Sequence, residues 1–245
     1  MTTTNSSPDS NPIKFRPIEK VGDRSEDYRS EGDRSEDVLQ FWFPTQPSGN
    51  QAAMVRRWDW WFRGGADAAI NEHFLLLYEQ AARGDFGIWS SEPRSRLALI
   101  IVLDQFSRSI YKGTAQAFAQ DSKACALAIE GIKIGHYTDL KTPWEKTFFL
   151  LPLGHSEDLT NLELAVKLAD DLAQETPQEY RALLEFSATQ ARGHQDVVAR
   201  FGRHPQRNEA LGRQSTADEL EYFASGQLVH KRSMPLHLSQ FLFSS

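Results

Sequence analysis

Seven consecutive apolar residues, LALIIVL at 97–103, run directly into an aspartate and on through DQFSRSIYKGT. A helix that is apolar on every side has no face to give to water, so residues 93–112 are predicted to form a central helix with neighbours around it. The same 3.6-residue period recurs along most of the chain. Ile70, Phe74, Leu77, Tyr78 and Ala81 repeat at helical spacing, and Gly84 is placed to end that element. The Ala-rich stretch 115–134 closes at Gly135, and further helices are expected over about 143–151, 157–174, 178–203 and 217–225. Strand-type alternation is almost absent. Helices joined by short polar turns imply an all-α chain arranged as an array of antiparallel neighbours.

The pattern changes at both ends. Residues 1–35 are rich in Ser, Asn, Pro and alternating charge, and carry GDRSED twice, at 22–27 and 32–37. Such a segment has too little apolar surface to offset the entropy of ordering and is predicted to be a disordered tail. The helical domain is expected over 36–225, with Ser35 capping its first helix and Glu36 and Asp37 in the first turn. Residues 226–245, ending in LHLSQFLFSS, are apolar enough to dock on the domain.

Formal charge −6 argues against nucleic-acid binding, which needs a basic face. A single cysteine, Cys125, excludes an intramolecular disulfide and fits a reducing compartment. No signal-like segment opens the sequence, and 97–103 is too short to span a bilayer, so a cytoplasmic location is expected.

Three stretches could carry chemistry. In the first, Asp104 shares a helical stripe with Arg108 and Tyr111 on the apolar side of the central helix. A carboxylate there must be paired, and Arg108 is the obvious partner, either to fix packing or to line a pocket. In the second, LPLGHSEDL at 151–159, His155, Glu157 and Asp158 lie close together. Ser156 reads as a helix cap with the two acids in its first turn, which leaves His155 unexplained, and the cluster matches no established metal spacing. The third contains His194, facing inward with Val197, Val198 and Phe201, and RFGRHPQRNEALGRQST at 200–216. Arg200 and Arg203 suit a helix C-terminus. Arg207 and Arg213 have no such local reason; they could hold a carboxylate or phosphate, or neutralise Glu157, Asp158 or Asp104.

Together VLQFWF, RWDWWF, LALIIVLDQFSRSIYKGT, AFAQD, LPLGHSEDL, RFGRHPQRN and LGRQST resemble the bacterial domain-of-unknown-function family 924 over about residues 36–225. The resemblance implies a tetratricopeptide-like helical fold and carries no reaction with it. The family's usual DQFPRN, RGT and RFGRFPHRN become Ser107 for proline, Ser109 for asparagine, Lys112 for arginine, His204 for an aromatic and Gln206 for a histidine. Gln206 cannot titrate where that imidazole would stand.

Two kinds of function follow. In one, Asp104, Glu157, His155 and His194 supply proton-transfer groups, and Arg108, Asp158, Arg200, Arg203, Arg207 and Arg213 bind a small anionic molecule in a shared pocket. In the other, a tetratricopeptide-like module holds a protein partner in a groove lined by RWDWWF, without catalysis. All the charges could also be structural. No cofactor is specified by any motif. Geometry separates these readings, because a pocket requires segments 104–111, 155–158 and 194–213 to meet around one cavity.

Overall fold

The computed structural model describes residues 31–44 and 51–242, and every regular element among them is helical. Of the tail expected over 1–35, residues 1–30, with the first GDRSED copy, fall outside these residues, whereas 31–35 are helical.

The central element is α5 (Pro93–Ile101), which packs against α1 (Glu31–Trp42), α7 (Asp121–Lys133) and α9 (Pro143–Gly154). Its residues Leu97 to Ile101 are all buried, as an all-round apolar helix requires. The second GDRSED copy is part of α1, which therefore starts before the expected boundary. Ser35 is inside that helix and buried, one turn before Val38 and Leu39, rather than at its cap.

Several helix ends obey local chemistry. The helix expected through residues 70–81 is broken at Phe74 (φ −120°) into α3 (Asp67–His73) and α4 (Leu75–Arg83), and Gly84 ends it at φ 101°. The Ala-rich stretch opens as a 3₁₀ turn at Ala115–Phe118 before α7 begins. Thr216 and Glu219 form a reciprocal capping box on α12 (Ala217–Ala224). The cap of α10 (Leu159–Glu175) is Asp158, which accepts from the Thr160 N–H at 2.8 Å. Ser156, expected there, instead accepts from the Asp158 N–H at 3.1 Å, one step upstream.

Aromatic rings hold the first half to the centre. Phe41, Phe74 and Phe106 form a chain with centroids 4.8–4.9 Å apart, and Phe148 of α9 lies 4.9 Å from Trp61 of α2 (Gln51–Phe62). The Trp61 indole N–H donates to the Trp42 carbonyl at 2.9 Å. The RWDWWF stripe is only partly core. Trp58 and Trp61 are buried, whereas Phe62 is 38% exposed and, with Trp58, borders a cavity.

The second half is a hairpin. α10 and α11 (Gln178–Phe201) turn at Thr176–Pro177 and lie along each other, with α9 against both. The C-terminal segment returns across this hairpin, burying Val229 against α11 and Leu238 in the main core.

Close approach of α7 to α9 depends on Gly131. A Cβ built there would lie 2.5 Å from Phe149 Cζ and 2.7 Å from Arg96 Cδ. Alanine would favour the helix by about 1 kcal/mol, but overpacking at such contacts costs about 1–3 kcal/mol. Gly131→Ala is therefore expected to lower the urea midpoint; an unchanged or raised midpoint would contradict the packing argument.

Candidate functional site

The route of the chain around Asp104 starts the site. Continuing from α5, residues Val102–Phe106 form a π turn before α6 (Ser107–Ile110). Such widened turns insert an extra residue into a helix and often occur at functional positions. Asp104 lies in this turn at 1% exposure. Its Oδ1 is 2.7 Å from His155 Nδ1 and 3.3 Å from Arg108 Nη1, and Oδ2 accepts from the Gln105 amide. Burial opposes its charge, yet Arg108 and His155 beside it, with hydrogen bonds from His155 and Gln105, hold the carboxyl well below its usual range. An ionised carboxylate only accepts hydrogen bonds, so Nδ1 of His155 is the donor. Nε2 has no hydrogen-bond partner among the described residues. His155 caps the C-terminus of α9.

A second layer joins Arg108 to Arg207 through a residue that the sequence reading did not single out. Asp121, at the start of α7, lies 3.0 Å from each guanidinium. Phe118 lies beneath both, its centroid 5.7 Å from Arg108 Cζ and 4.8 Å from Arg207 Cζ. Arg207 Nη2 also donates to the His155 carbonyl at 2.8 Å, which fixes the dyad's backbone. In the sequence Asp121 closes AFAQD, one of the stretches that carry the family resemblance, but its spacing gives it no role of its own.

His155, Arg108, Arg207 and His194 all border one cavity of about 850 Å³, within the range of small-molecule pockets. Its walls come from α2, α9, α10, α11 and the C-terminal segment. His194 Nδ1 is buried without a hydrogen-bond partner, and so is Gln190 Oε1 one turn earlier. The ring of His194 lies 5.4 Å from that of His204, edge to face. His204 Nε2 is 3.0 Å from the Ser156 carbonyl and so is the protonated nitrogen, while its buried Nδ1 has no partner.

The remaining candidates stand elsewhere. Glu157 is paired with Arg213 at 2.8 Å and accepts from the His204 N–H at 2.8 Å; neither Glu157 nor Arg213 borders the cavity. Burial opposes the charge of Glu157, but the hydrogen bonds from Arg213 and His204 keep its carboxyl low. Arg203 pairs with buried Glu219 at 2.7 Å. Arg200 is exposed over the Phe201 ring, and Asp158 is an exposed cap. Tyr111 turns to Tyr78, with centroids 5.5 Å apart. Of the arginines in 200–213, only Arg207 therefore reaches the cavity, and it arrives already paired. Among the described residues no group of three or more His, Cys, Asp and Glu side chains is placed to hold a metal. No described helix is long and apolar enough to cross a membrane.

The frame is all-helical among the described residues, with a buried Asp–His pair beside a cavity. Residues 38–227 match the family described as bacterial protein of unknown function (DUF924), and the chain belongs to that family. It is also similar to a solved structure, described as a protein of unknown function, ATU0120, from Agrobacterium tumefaciens. The two share 30% identity with a TM-score of 0.67, over 80% of this chain and all of that one. None of the curated proteins compared with the chain matches it.

The histidines make the site sensitive to acid. Burial, then the charges of His155 and Arg207, pushes His194 down to about 3. Burial, then Arg207 and His194, pushes His204 down to about 2. Both are neutral in the folded chain while the unfolded chain takes up protons below about pH 6.5. Stability is therefore expected to fall as pH drops from 6.5 towards 4.5, before the carboxylates titrate. Each histidine contributes a slope of up to about 1.4 kcal/mol per pH unit. His204→Phe should flatten that slope in urea denaturation across this window; an unchanged slope would mean that His204 is protonated in the folded state.

Proposed function

We propose that this protein binds a small anionic molecule in the cavity and uses the Asp104–His155 pair as a general base on it. The observation that carries this reading is the 2.7 Å contact between a buried, ionised carboxylate and a cavity-lining imidazole. Oriented this way, Nε2 can take a proton from the ligand or from a water attacking it. Asp104 and the C-terminus of α9 would stabilise the imidazolium that results. An anion is favoured because four arginines, Arg63, Arg108, Arg207 and Arg232, line the cavity against a single lining acid, Asp59, in a chain of net charge −6. Asp104 and Asp121 behind the wall reduce that excess without cancelling it. The helical array is tetratricopeptide-like in the same proposal, with α9, α10 and α11 as successive packed neighbours supporting it.

A thermal-shift screen of a chemically mixed panel of anions tests this, on the wild type, Arg207→Ala and His155→Gln. A ligand at a hundred times its Kd should raise the wild-type Tm by about 5–10 °C. The shift, taken from each variant's own ligand-free Tm, should shrink in Arg207→Ala. His155→Gln keeps a donor for Asp104 but has no titratable nitrogen, so it should retain binding and lose turnover. Silence across the panel, or equal shifts in wild type and Arg207→Ala, would refute the binding site.

A further inference from the structure

The cavity lining is of two kinds. Trp58, Phe62, Leu150, Leu151, Leu172 and Leu184 supply apolar surface. Gln190 and His194 of α11, Arg232 of the C-terminal segment and Arg63 just past the end of α2 supply polar groups, both arginines at the exposed rim. Arg63 and Arg232 differ from the inner arginines. Arg108 and Arg207 share Asp121, whereas neither rim guanidinium forms an ion pair with a carboxylate among the described residues. Arg63 Nη2 donates to the Arg232 carbonyl at 2.9 Å, and Arg232 Nη1 reaches the Thr189 carbonyl at 3.4 Å. Arg232 Nη2 would be 3.3 Å from a Cβ on Gly193, so the guanidinium lies against α11 beside His194. The two rim arginines thus lie together on the lining of a largely apolar hollow, with no carboxylate paired to either among the described residues.

Resting on the reading of the cavity as an anion site, we propose that its ligand class is the aliphatic carboxylate. The alkyl chain lies along the apolar wall and the carboxylate is held by Arg63 and Arg232. Guanidinium and carboxylate match as paired donors and acceptors, which gives the charged end a fixed place. A compact, wholly polar anion would draw nothing from the leucine and aromatic side, whereas each methylene buried there adds affinity. An aliphatic amine would meet like charge at the rim. The arrangement also gives the apolar residues of the C-terminal segment a use. Met234, Leu236 and Leu242 border the same cavity and extend its apolar surface beyond residue 227, where the family match ends.

The test is calorimetric titration of the full chain with straight-chain carboxylates from acetate to dodecanoate, each below its micellar range. Affinity should rise roughly fourfold per added methylene through the middle of the series. The corresponding alcohols and alkylammonium ions should bind at least about tenfold more weakly. Arg232→Gln, at an exposed position, should weaken carboxylate binding about tenfold and leave alcohol binding unchanged. Ala169→Leu, which adds bulk to the α10 wall of the cavity, should move the preferred chain to a shorter length. Circular-dichroism melts of both variants check that they fold.

Binding of acetate or phosphate with no dependence on chain length would overturn the aliphatic assignment and leave the anion site standing. Alcohols bound as tightly as acids, or carboxylate affinity unchanged in Arg232→Gln, would overturn the placement of the charged end. Failure of every anion, short or long, would remove both this proposal and the binding function it rests on.

Discussion

Asp104 carries its negative charge where water is excluded, and the surrounding architecture is organised around that fact. An isolated carboxylate at 1% exposure would take up a proton or unfold the region around it. It remains charged because Arg108 follows it by one turn and α9 ends with His155 against it. Each partner brings a constraint. Arg108 must also satisfy Asp121, which fixes the start of α7. His155 must keep its backbone where Arg207 can hold its carbonyl, which fixes the turn after α11. One buried charge thus ties four separated stretches of chain to one another. Removing any member would leave an uncompensated ion, which is why such networks resist piecemeal change even when their net contribution to stability is small.

The same logic accounts for a cluster of arginines in an acidic chain. Arg203, Arg207 and Arg213 each meet a carboxylate from a different segment: Glu219, Asp121 and Glu157. The irregular turn between α11 and α12 has little apolar surface to hold it, so these pairs and the Asn208 hydrogen bonds to Ser215 and Glu219 define its shape. Glu219 is pushed down to about 2, first by its hydrogen bonds from Arg203, while also closing the capping box of α12. One carboxylate therefore serves a helix end and a loop together.

The helices were legible because their periodicity is local. Gly84, the Thr216–Glu219 box and the apolar run at 97–103 each act within a few residues, and spacing alone reveals them. That Asp104 needed a partner was equally legible, since a helical wheel sets it among aliphatics. That His155 shares that partnership with Arg108 depends on how α9 crosses α5, which no spacing records. The roles of Asp121 and Gln190 were hidden for the same reason: an acid closing AFAQD and a glutamine in a long helix are ordinary until two arginines or a cavity arrive beside them. The break at Phe74 and the π turn at Val102–Phe106 were also hidden, because tertiary packing imposes both on sequences that suit an uninterrupted helix. The assignment of Ser35 and Ser156 as caps went astray differently. Each is a good cap by type, but the second GDRSED copy continues the helix through Ser35, and Asp158 lies two residues nearer the first turn of α10 than Ser156.

Buried polar groups in folded proteins are nearly always paired, because an unmade hydrogen bond costs more than a made one returns. Around Asp104, Glu157 and Glu219 the pairing is complete. Buried atoms without a hydrogen-bond partner among the described residues fall in several places: Trp42 Nε1 and Trp89 Nε1 in the aromatic core, Asp121 Oδ1 and His204 Nδ1 beside cavity-lining residues, and His194 Nδ1 and Gln190 Oε1 on the cavity lining itself. The last two differ from the core pair in having open space beside them, where a ligand's polar group has room to make the missing hydrogen bond. With two exposed arginines that no carboxylate pairs among the described residues, and a lining rich in leucine and aromatic rings, they give the cavity both polar and apolar surface for the proposed ligand.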